Sequence, residues 1–245
     1  MKGKVAIVTG SSSGIGRMIA LRLAMEGVNI TINYSSSKDR ADEVKAEIEK
    51  LGVKCIVVQG SVADERTAEK LVNETLTAFG QIDILVNNAG TTHFVEHDDL
   101  QGMRSEYWDN MMGVNVKGMF FCCRAASDQL RRQKGCIINI TSVAGQTGLG
   151  SSIGYAASKA AANSITKSLA RVLAPEVRVN SLAPGVVATR WIEGHEKQMK
   201  ELSEATPLGR MATPEDVAEA AFGLIAHSPF VTGEILRVDG GMFIN

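Results

Sequence analysis

The chain lacks any excess of one charge: 26 lysines and arginines stand against 27 aspartates and glutamates, for a formal net charge of −1. So balanced a surface offers no basic field to nucleic acid or to an anionic membrane, and neither is expected as a partner. It also lacks an apolar run of the roughly 18 residues that a membrane-spanning helix needs. The start, "MKGKVAIVTG", is basic and then briefly apolar, but a glycine-rich turn follows too soon for a signal peptide, and a first strand is expected instead. Cysteine is scarce. Cys55, Cys122, Cys123 and Cys136 show no C-x-x-C spacing and have no histidine close in sequence. They read as buried, reduced thiols of a cytoplasmic protein. No linker, low-complexity tract or repeat interrupts the chain, so residues 1–245 are expected to form one domain, large enough for a single α/β core.

What is there is an alternation of short β-branched runs and longer helical patterns. Strands are expected at 5–9, 29–34, 53–59, 82–87, 135–141, 177–182 and 234–238. Helices are expected at 14–27, 38–51, 64–79, 104–132, 155–173 and 214–226. Several of the strands are apolar on both faces, as strands buried between helix layers are. The pattern predicts a doubly wound, Rossmann-type parallel sheet of about seven strands with helices on both faces. Thr213 followed by Pro214 marks a helix start, and Gly27 and Gly52 mark helix ends. The segment 190–212 fits the sheet pattern least and is expected to be a small helical cover over a site.

"VTGSSSGIG" follows the first strand and opens the first helix. Gly10, Gly14 and Gly16 permit a tight turn and a close approach of a pyrophosphate to the helix N-terminus. The spacing G-x-x-x-G-x-G differs from the commoner G-x-G-x-x-G of dinucleotide sites. In NAD sites an acidic residue at the end of the second strand holds the ribose 2′-hydroxyl. Here Asn33 and Tyr34 stand in that place, followed by Ser35, Ser36, Ser37, Lys38 and Arg40. Hydroxyls and cations suit a 2′-phosphate, so NADP(H) is favoured, with NAD(H) as the alternative and a solvated first helical turn as the plain reading of Lys38 and Arg40.

"YAASK" sets Tyr155 four residues before Lys159, on one face of a helix. A free phenol is a poor acid–base group at neutral pH, and a nearby cation favours its ionised form. The pair is therefore either a tuned proton donor or an ordinary helix surface.

Taken together, T-G-x-x-x-G-I-G at 9–16, "NNAG" at 87–90, Asn115, Ser142, Y-x-x-x-K at 155–159 and "PG" at 184–185 resemble the short-chain dehydrogenase/reductase family in order and spacing. The resemblance runs through the C-terminal "TGEILRVDGGM". Within the family the chain is most similar to the 3-oxoacyl-acyl-carrier-protein reductases and related carbonyl reductases. The resemblance implies a catalytic tetrad: Tyr155 as proton donor, Lys159 lowering its pKa and holding the nicotinamide ribose, Ser142 bonding the substrate carbonyl, and Asn115 holding a relay water. It implies cofactor contacts from Ser12, Ser13 and Ile15, from Asn88, Ala89 and Gly90, and from Pro184, Gly185, Val187 and Thr189. Ser61 and Val62 belong to the adenine end, where the family often has Asp in place of Ser61. It also implies a homotetramer.

Two stretches bear on the substrate. Reductases that act on a carrier protein dock it through arginines at the active-site mouth. Here one such position is Gln133 and the other falls in "LAPEVRVN", with Arg131 and Arg132 as partial substitutes. This favours a small or free carbonyl or alcohol, with an acyl thioester as the alternative. The loop "THFVEHDD" carries His93, His97, Asp98 and Asp99, yet proton and hydride transfer here need no metal, so it is read as a polar loop near the mouth. Met111, Met112, Met119, Phe120 and Phe121 suit packing, and the tail "GGMFIN" a subunit contact. The expected activity is NADP(H)-linked reduction of a ketone to a secondary alcohol. Its rivals are NAD-dependent oxidation of a sugar, polyol or other secondary alcohol, and nucleotide sensing without turnover.

Overall fold

Strands apolar at every position need cover on two faces, and the computed structural model shows how this chain supplies it over residues 1–189, 194 and 206–244. β1 (Val5–Val8), β2 (Asn29–Tyr34), β3 (Cys55–Gln59), β4 (Ile84–Asn87), β5 (Cys136–Ile140), β6 (Arg178–Pro184) and β7 (Ile235–Val238) form one sheet. Its order is β3-β2-β1-β4-β5-β6-β7 and every pairing is parallel. Parallel pairing forces a crossover between neighbours, and each crossover that carries a helix covers one face.

The helices are α1 (Gly14–Met25), α2 (Lys38–Lys50), α3 (Glu65–Phe79), α4 (Ser105–Met111), α5 (Met119–Gln133), α6 (Ala144–Thr147), α7 (Ile153–Leu173) and α8 (Pro214–Ala226). α1, α2 and α8 pack on one face of the sheet, and α3, α5 and α7 on the other. Side chains alternate between those layers: Ala6 and Val8 of β1 enter the first core, and Ile7 the second. Each fully buried Ile or Leu contributes about 1.5–3 kcal/mol of transfer free energy. Thr213 caps α8 in a reciprocal box with Asp216, as its sequence predicts.

The expected helix at 104–132 is instead three consecutive pieces, because Met112–Gly118 winds as a π-helix between α4 and α5. The wider turn brings Asn115 inside, where it is buried, and seats Gly118 against Val62, with no room for a Cβ. α6 was not anticipated. Most of the expected helical cover at 190–212 lies outside the described residues. Its described end, 206–212, is turn and bridge, with Ala212 paired to Val187.

Polar side chains thread the second core. Asn87 Nδ2 donates to Asn139 Oδ1 at 2.9 Å, and Asn139 Nδ2 donates to Thr166 Oγ1 at 2.8 Å. Thr166 Oγ1 donates to Ala162 O at 2.9 Å and meets Ser181 Oγ at 2.8 Å. This ladder joins β4, β5 and β6 to α7 through groups that are all buried. Asn139→Leu leaves the Asn87 amide only the weak Cys123 sulfur as partner. At about 1–3 kcal/mol for each orphaned polar group, the urea midpoint is expected to fall with the m-value unchanged. An unmoved midpoint in equilibrium unfolding would show that the ladder adds nothing to stability.

Candidate active site

The sheet order reverses between β1 and β4, and ligands of open α/β sheets bind outside the strand ends at such a point. Here those ends are laced together. Asn88 N and Ala89 N both donate to Thr9 Oγ1 at 3.0 Å, and Asn88 Nδ2 donates to the carbonyls of Thr9 and Gly10. Asn33 does the same from β2: its Oδ1 accepts from Gly10 N, and its Nδ2 donates to Val58 O and Gly60 O. Gly10 has φ +61°, and a Cβ there would sit 2.8 Å from Ala89 Cα. Gly16 is equally fixed, since a Cβ would strike the Asn88 amide. Asn88 thus builds the turn with its side chain while also facing the cleft beside it.

That cleft has a volume of about 850 Å3. Ser12, Ser13, Gly14 and Ile15 line one part. Ser13 precedes α1 but makes no side-chain cap, so the first amides of α1 keep their capacity for an anion. Ser35, Ser61 and Val62 line the side toward β2 and β3; Ala89 and Gly90 follow β4. Ser142, Tyr155, Lys159, Pro184, Gly185, Val187 and Thr189 line the far end. An uncapped helix N-terminus, a hydroxyl-lined recess and a long continuous cleft fit a dinucleotide.

Other expected contacts fall elsewhere. Tyr34 is buried in the core, because its alternation on β2 turns it under α2 rather than toward the cleft. Ser36 is exposed outside the cleft. Lys38 does not line it either: its ammonium meets Asp42 Oδ2 at 2.5 Å, one turn along α2. Asn33, where an acid would stand in an NAD site, holds the turn with its amide and also lines the cleft.

Three members of the expected tetrad converge. Ser142 follows β5, its Oγ accepting from Ala144 N at 3.1 Å and hydrogen-bonded to Tyr155. Tyr155 lies in the first turn of α7, where the Ser152 cap accepts from its amide. Lys159 is 5 % exposed and donates from Nζ to Ile140 O at 3.0 Å, 5.7 Å from the Tyr155 ring centre. Asn115 is behind them. Its Oδ1 accepts from Thr91 N, and its Nδ2 donates to Thr91 O and Ser158 Oγ. It ties the loop after β4 to α7 and does not line the cleft.

Tyr155 is only half-buried, yet the surrounding protein pushes its phenol up to about 12; the Ser142 hydrogen bond pulls the other way. Burial acts on Lys159 too and brings its ammonium down to about 8. All four cysteines are buried free thiols, each pushed upward by burial.

The substrate end has walls that sequence reasoning missed. Phe94, Thr147, Leu149, Ser151, Met242 and Phe243 all line the cleft. The 92–99 loop borders it, with Val95 N donating to Ser151 O and His97 Nε2 3.1 Å from Gly150 O. His93 stacks on Tyr107. Among the described residues no group of three or more His, Cys, Asp or Glu is arranged for a metal.

A dinucleotide-type turn at the switch point, sharing a cleft with a Ser–Tyr–Lys cluster, defines an α/β oxidoreductase. The chain belongs to the short-chain dehydrogenase/reductase family, and its chemistry interconverts CH–OH and C=O. The family model described as enoyl-(acyl carrier protein) reductase matches residues 10–243. The 3-oxoacyl-acyl-carrier-protein reductase FabG of Staphylococcus aureus is 39% identical over 245 residues, 98% of each chain. The 3-oxoacyl-acyl-carrier-protein reductase of Synechocystis is 40% identical over 247 residues, covering 99% of this chain and 98% of its own. Among solved structures, a dehydrogenase/reductase from Sinorhizobium meliloti superposes with a TM-score of 0.92 at 35% identity, covering 100% of this chain and 96% of that one. A short-chain dehydrogenase/reductase of Serratia marcescens gives 0.91 at 33% identity, covering 98% of each.

Burying the Lys159 charge costs stability. A fall from 10.5 to about 8 corresponds to roughly 3 kcal/mol, less about 1 for the hydrogen bond to Ile140. Lys159→Met is therefore expected to lose turnover yet melt several degrees higher at pH 7 without ligand. A lowered lysine pKa means that the unfolded chain binds the extra proton between about 8 and 10.5, so the difference should shrink as pH rises through that window. Melting curves of both proteins from pH 7 to 10 check this; a variant that melts lower at pH 7 contradicts it.

Proposed function

We propose that the protein is an NADP(H)-dependent ketoreductase acting on 3-oxoacyl or small ketone substrates. The observation that carries this is the convergence of Ser142, Tyr155 and Lys159 at one end of the cleft whose other part is the uncapped N-terminus of α1. When bound, the nicotinamide cofactor supplies the hydride. The amides after Ser13 would hold its pyrophosphate, and Lys159 its ribose. The Ser142 hydroxyl, already bonded to Tyr155, is the donor for the substrate oxygen. A phenol held near 12 keeps its proton at neutral pH, ready for an oxygen that becomes strongly basic as the carbonyl is reduced. Lys159, with a pKa of about 8, both holds and releases a proton near neutrality, which suits a relay that reloads Tyr155.

The NADP(H) preference rests on the lining toward β2 and β3. Among the described residues it contains no carboxylate, and Ser35 and Ser61 offer hydroxyls. NAD(H) is the alternative. The relatives named for 3-oxoacyl-carrier substrates support a thioester as substrate. Docking of the carrier itself has less support, since Arg131 is tied to Glu176 at 3.0 Å and to Val172 O at 2.7 Å. The family likeness supports a homotetramer in the cytoplasm; Phe120 on α5 and Leu236 on the edge strand are exposed apolar side chains it would cover.

Two measurements test this reading. Tyr155→Phe is expected to lose about 10²–10⁴-fold in kcat for a 3-oxoacyl thioester while binding NADPH normally by fluorescence titration. A near-normal rate would remove Tyr155 from its role. Ser35→Asp places a carboxylate where a 2′-phosphate would lie, and the kcat/KM ratio of NADPH to NADH is expected to fall at least tenfold. An unchanged ratio would argue against the NADP(H) assignment.

A further inference from the structure

Ser142 follows β5 by two residues, so the strand itself does not set where its hydroxyl points. The turn it stands on is closed by its own bonds. Ala144 N donates to Ser142 Oγ and Gly145 N to Ser142 O, both at 3.1 Å, and Gln146 N donates to Val143 O at 2.9 Å. These bonds curl the chain directly into α6, so Ser142 and α6 move as one piece.

α6 rests on α7 backbone against backbone. A Cβ on Gly145 would lie 2.5 Å from the carbonyl carbon of Lys159 and 2.7 Å from Ala160 N. Gly145 is helical and its φ is not positive, so a glycine is needed there for space and not for conformation. Asn163, one turn further along α7, donates from Nδ2 to Gly145 O at 3.4 Å. That is the one hydrogen bond this buried side chain makes among the described residues, and its Oδ1 has no partner. A buried amide left half-satisfied is placed for the contact it does make.

The contact falls at Lys159, one helical turn past Tyr155 on α7 and three residues past Ser142 on the other segment. The two hydroxyls therefore project from a shared point, and the thickness of the contact sets the distance between them. Of the two elements, α7 cannot yield, because Asn139 holds it at Thr166 and Asn115 holds it at Ser158. α6 has four residues and gives way first.

We propose that Gly145 is a positioning residue: having no side chain, it lets α6 seat on α7 at Lys159 and so keeps the Ser142 hydroxyl within bonding reach of Tyr155. A side chain there lifts α6 and carries Ser142 away with it. The effect on rate rests on the ketoreductase reading; the effect on the Ser142–Tyr155 bond does not.

The test is a double-mutant cycle in the intact protein between Gly145→Ala and Ser142→Ala. A misplacement of about 1 Å near reacting atoms can cost about 10²-fold, so Gly145→Ala is expected to lower kcat for a 3-oxoacyl thioester by roughly 10–100-fold with NADPH affinity unchanged. In the Ser142→Ala background the same substitution is expected to cost less than about twofold, because the bond it sets is already gone. Equal losses in both backgrounds would mean general damage and overturn the proposal. The bond is also read without turnover. The chain has three tyrosines, so 3-fluorotyrosine labelling gives a simple fluorine spectrum in which Tyr155→Phe identifies the Tyr155 resonance. Ser142→Ala and Gly145→Ala should move that resonance in the same direction, and the double variant no further. A resonance that Gly145→Ala leaves in place overturns the proposal. If Gly145→Ala fails to fold, Asn163→Ala, which frees Gly145 O without crowding it, should show the same pattern at smaller amplitude, and an unmoved resonance there counts against the proposal equally. Absence of turnover with NADPH and NADH, with the fluorine shifts as expected, supports the placement by Gly145 while sinking the ketoreductase reading.

Discussion

Tyr155 and Lys159 ride on a helix of 21 residues, and a helix packed by apolar contacts alone is free to slide or roll among similar positions. What removes that freedom is the bond from Asn139 Nδ2 to Thr166 Oγ1. It joins the middle of β5 to α7 about three helical turns beyond Tyr155. Thr166 spends its one hydroxyl proton on Ala162 O, so it can only accept from Asn139, and Ser181 must donate to it in turn. A ladder with fixed donors and acceptors tolerates one register. Ser142 follows β5 by two residues, so the strand that pins α7 also leads into the partner of Tyr155. The Asn115 bond to Ser158 fixes the same helix from the loop after β4. Catalytic geometry here follows from buried polar bonds well away from the reacting atoms.

The site is also where the fold gives up stability. An ammonium that is 5% exposed, with one carbonyl as its partner, is an unfavourable thing to bury. Its pKa falls and the tyrosine pKa rises, both from the same exclusion of water. Two groups that in water titrate close together are thereby separated by several units, the acid holding its proton firmly and the base loosely. In the proposed reaction that separation would let Tyr155 donate at neutral pH and Lys159 exchange.

The sheet was legible because its strands are continuous apolar runs with glycine or capping residues at their ends. The same holds for α8, where Thr213, Pro214 and Asp216 spell a cap in sequence. The turn and the Ser–Tyr–Lys cluster were legible because short spacings survive folding unchanged. What was not legible depends on the third dimension. Asn33 and Asn88 line the cleft, and nothing in the sequence says that their amides also lace four strand ends together. Lys38 looks like a phosphate ligand until α2 sets Asp42 one turn away. The π-helix at Met112–Gly118 changes no hydrophobic period strongly enough to be seen. The place of Met242 and Phe243 in the cleft lining is not legible because nothing local says that β7 ends beside Gly185.

A cleft whose described lining holds one charged group suits a reaction in which charge is transient. As a carbonyl is reduced, negative charge gathers on one oxygen and must be met there and nowhere else. A second fixed cation in the cleft would stabilise the substrate as readily as the transition state, which adds to binding without adding to rate. In the proposed reaction, neutral donors that gain strength as the oxygen becomes basic, the hydroxyls of Ser142 and Tyr155, would discriminate between the two. Lys159, buried at the far end of the cleft, is held 5.7 Å from the Tyr155 ring centre. Phe94, Leu149, Met242 and Phe243 add apolar side chains to the same lining, so the polar groups of the cleft are few and concentrated at the Ser142–Tyr155 end and at the turn before α1.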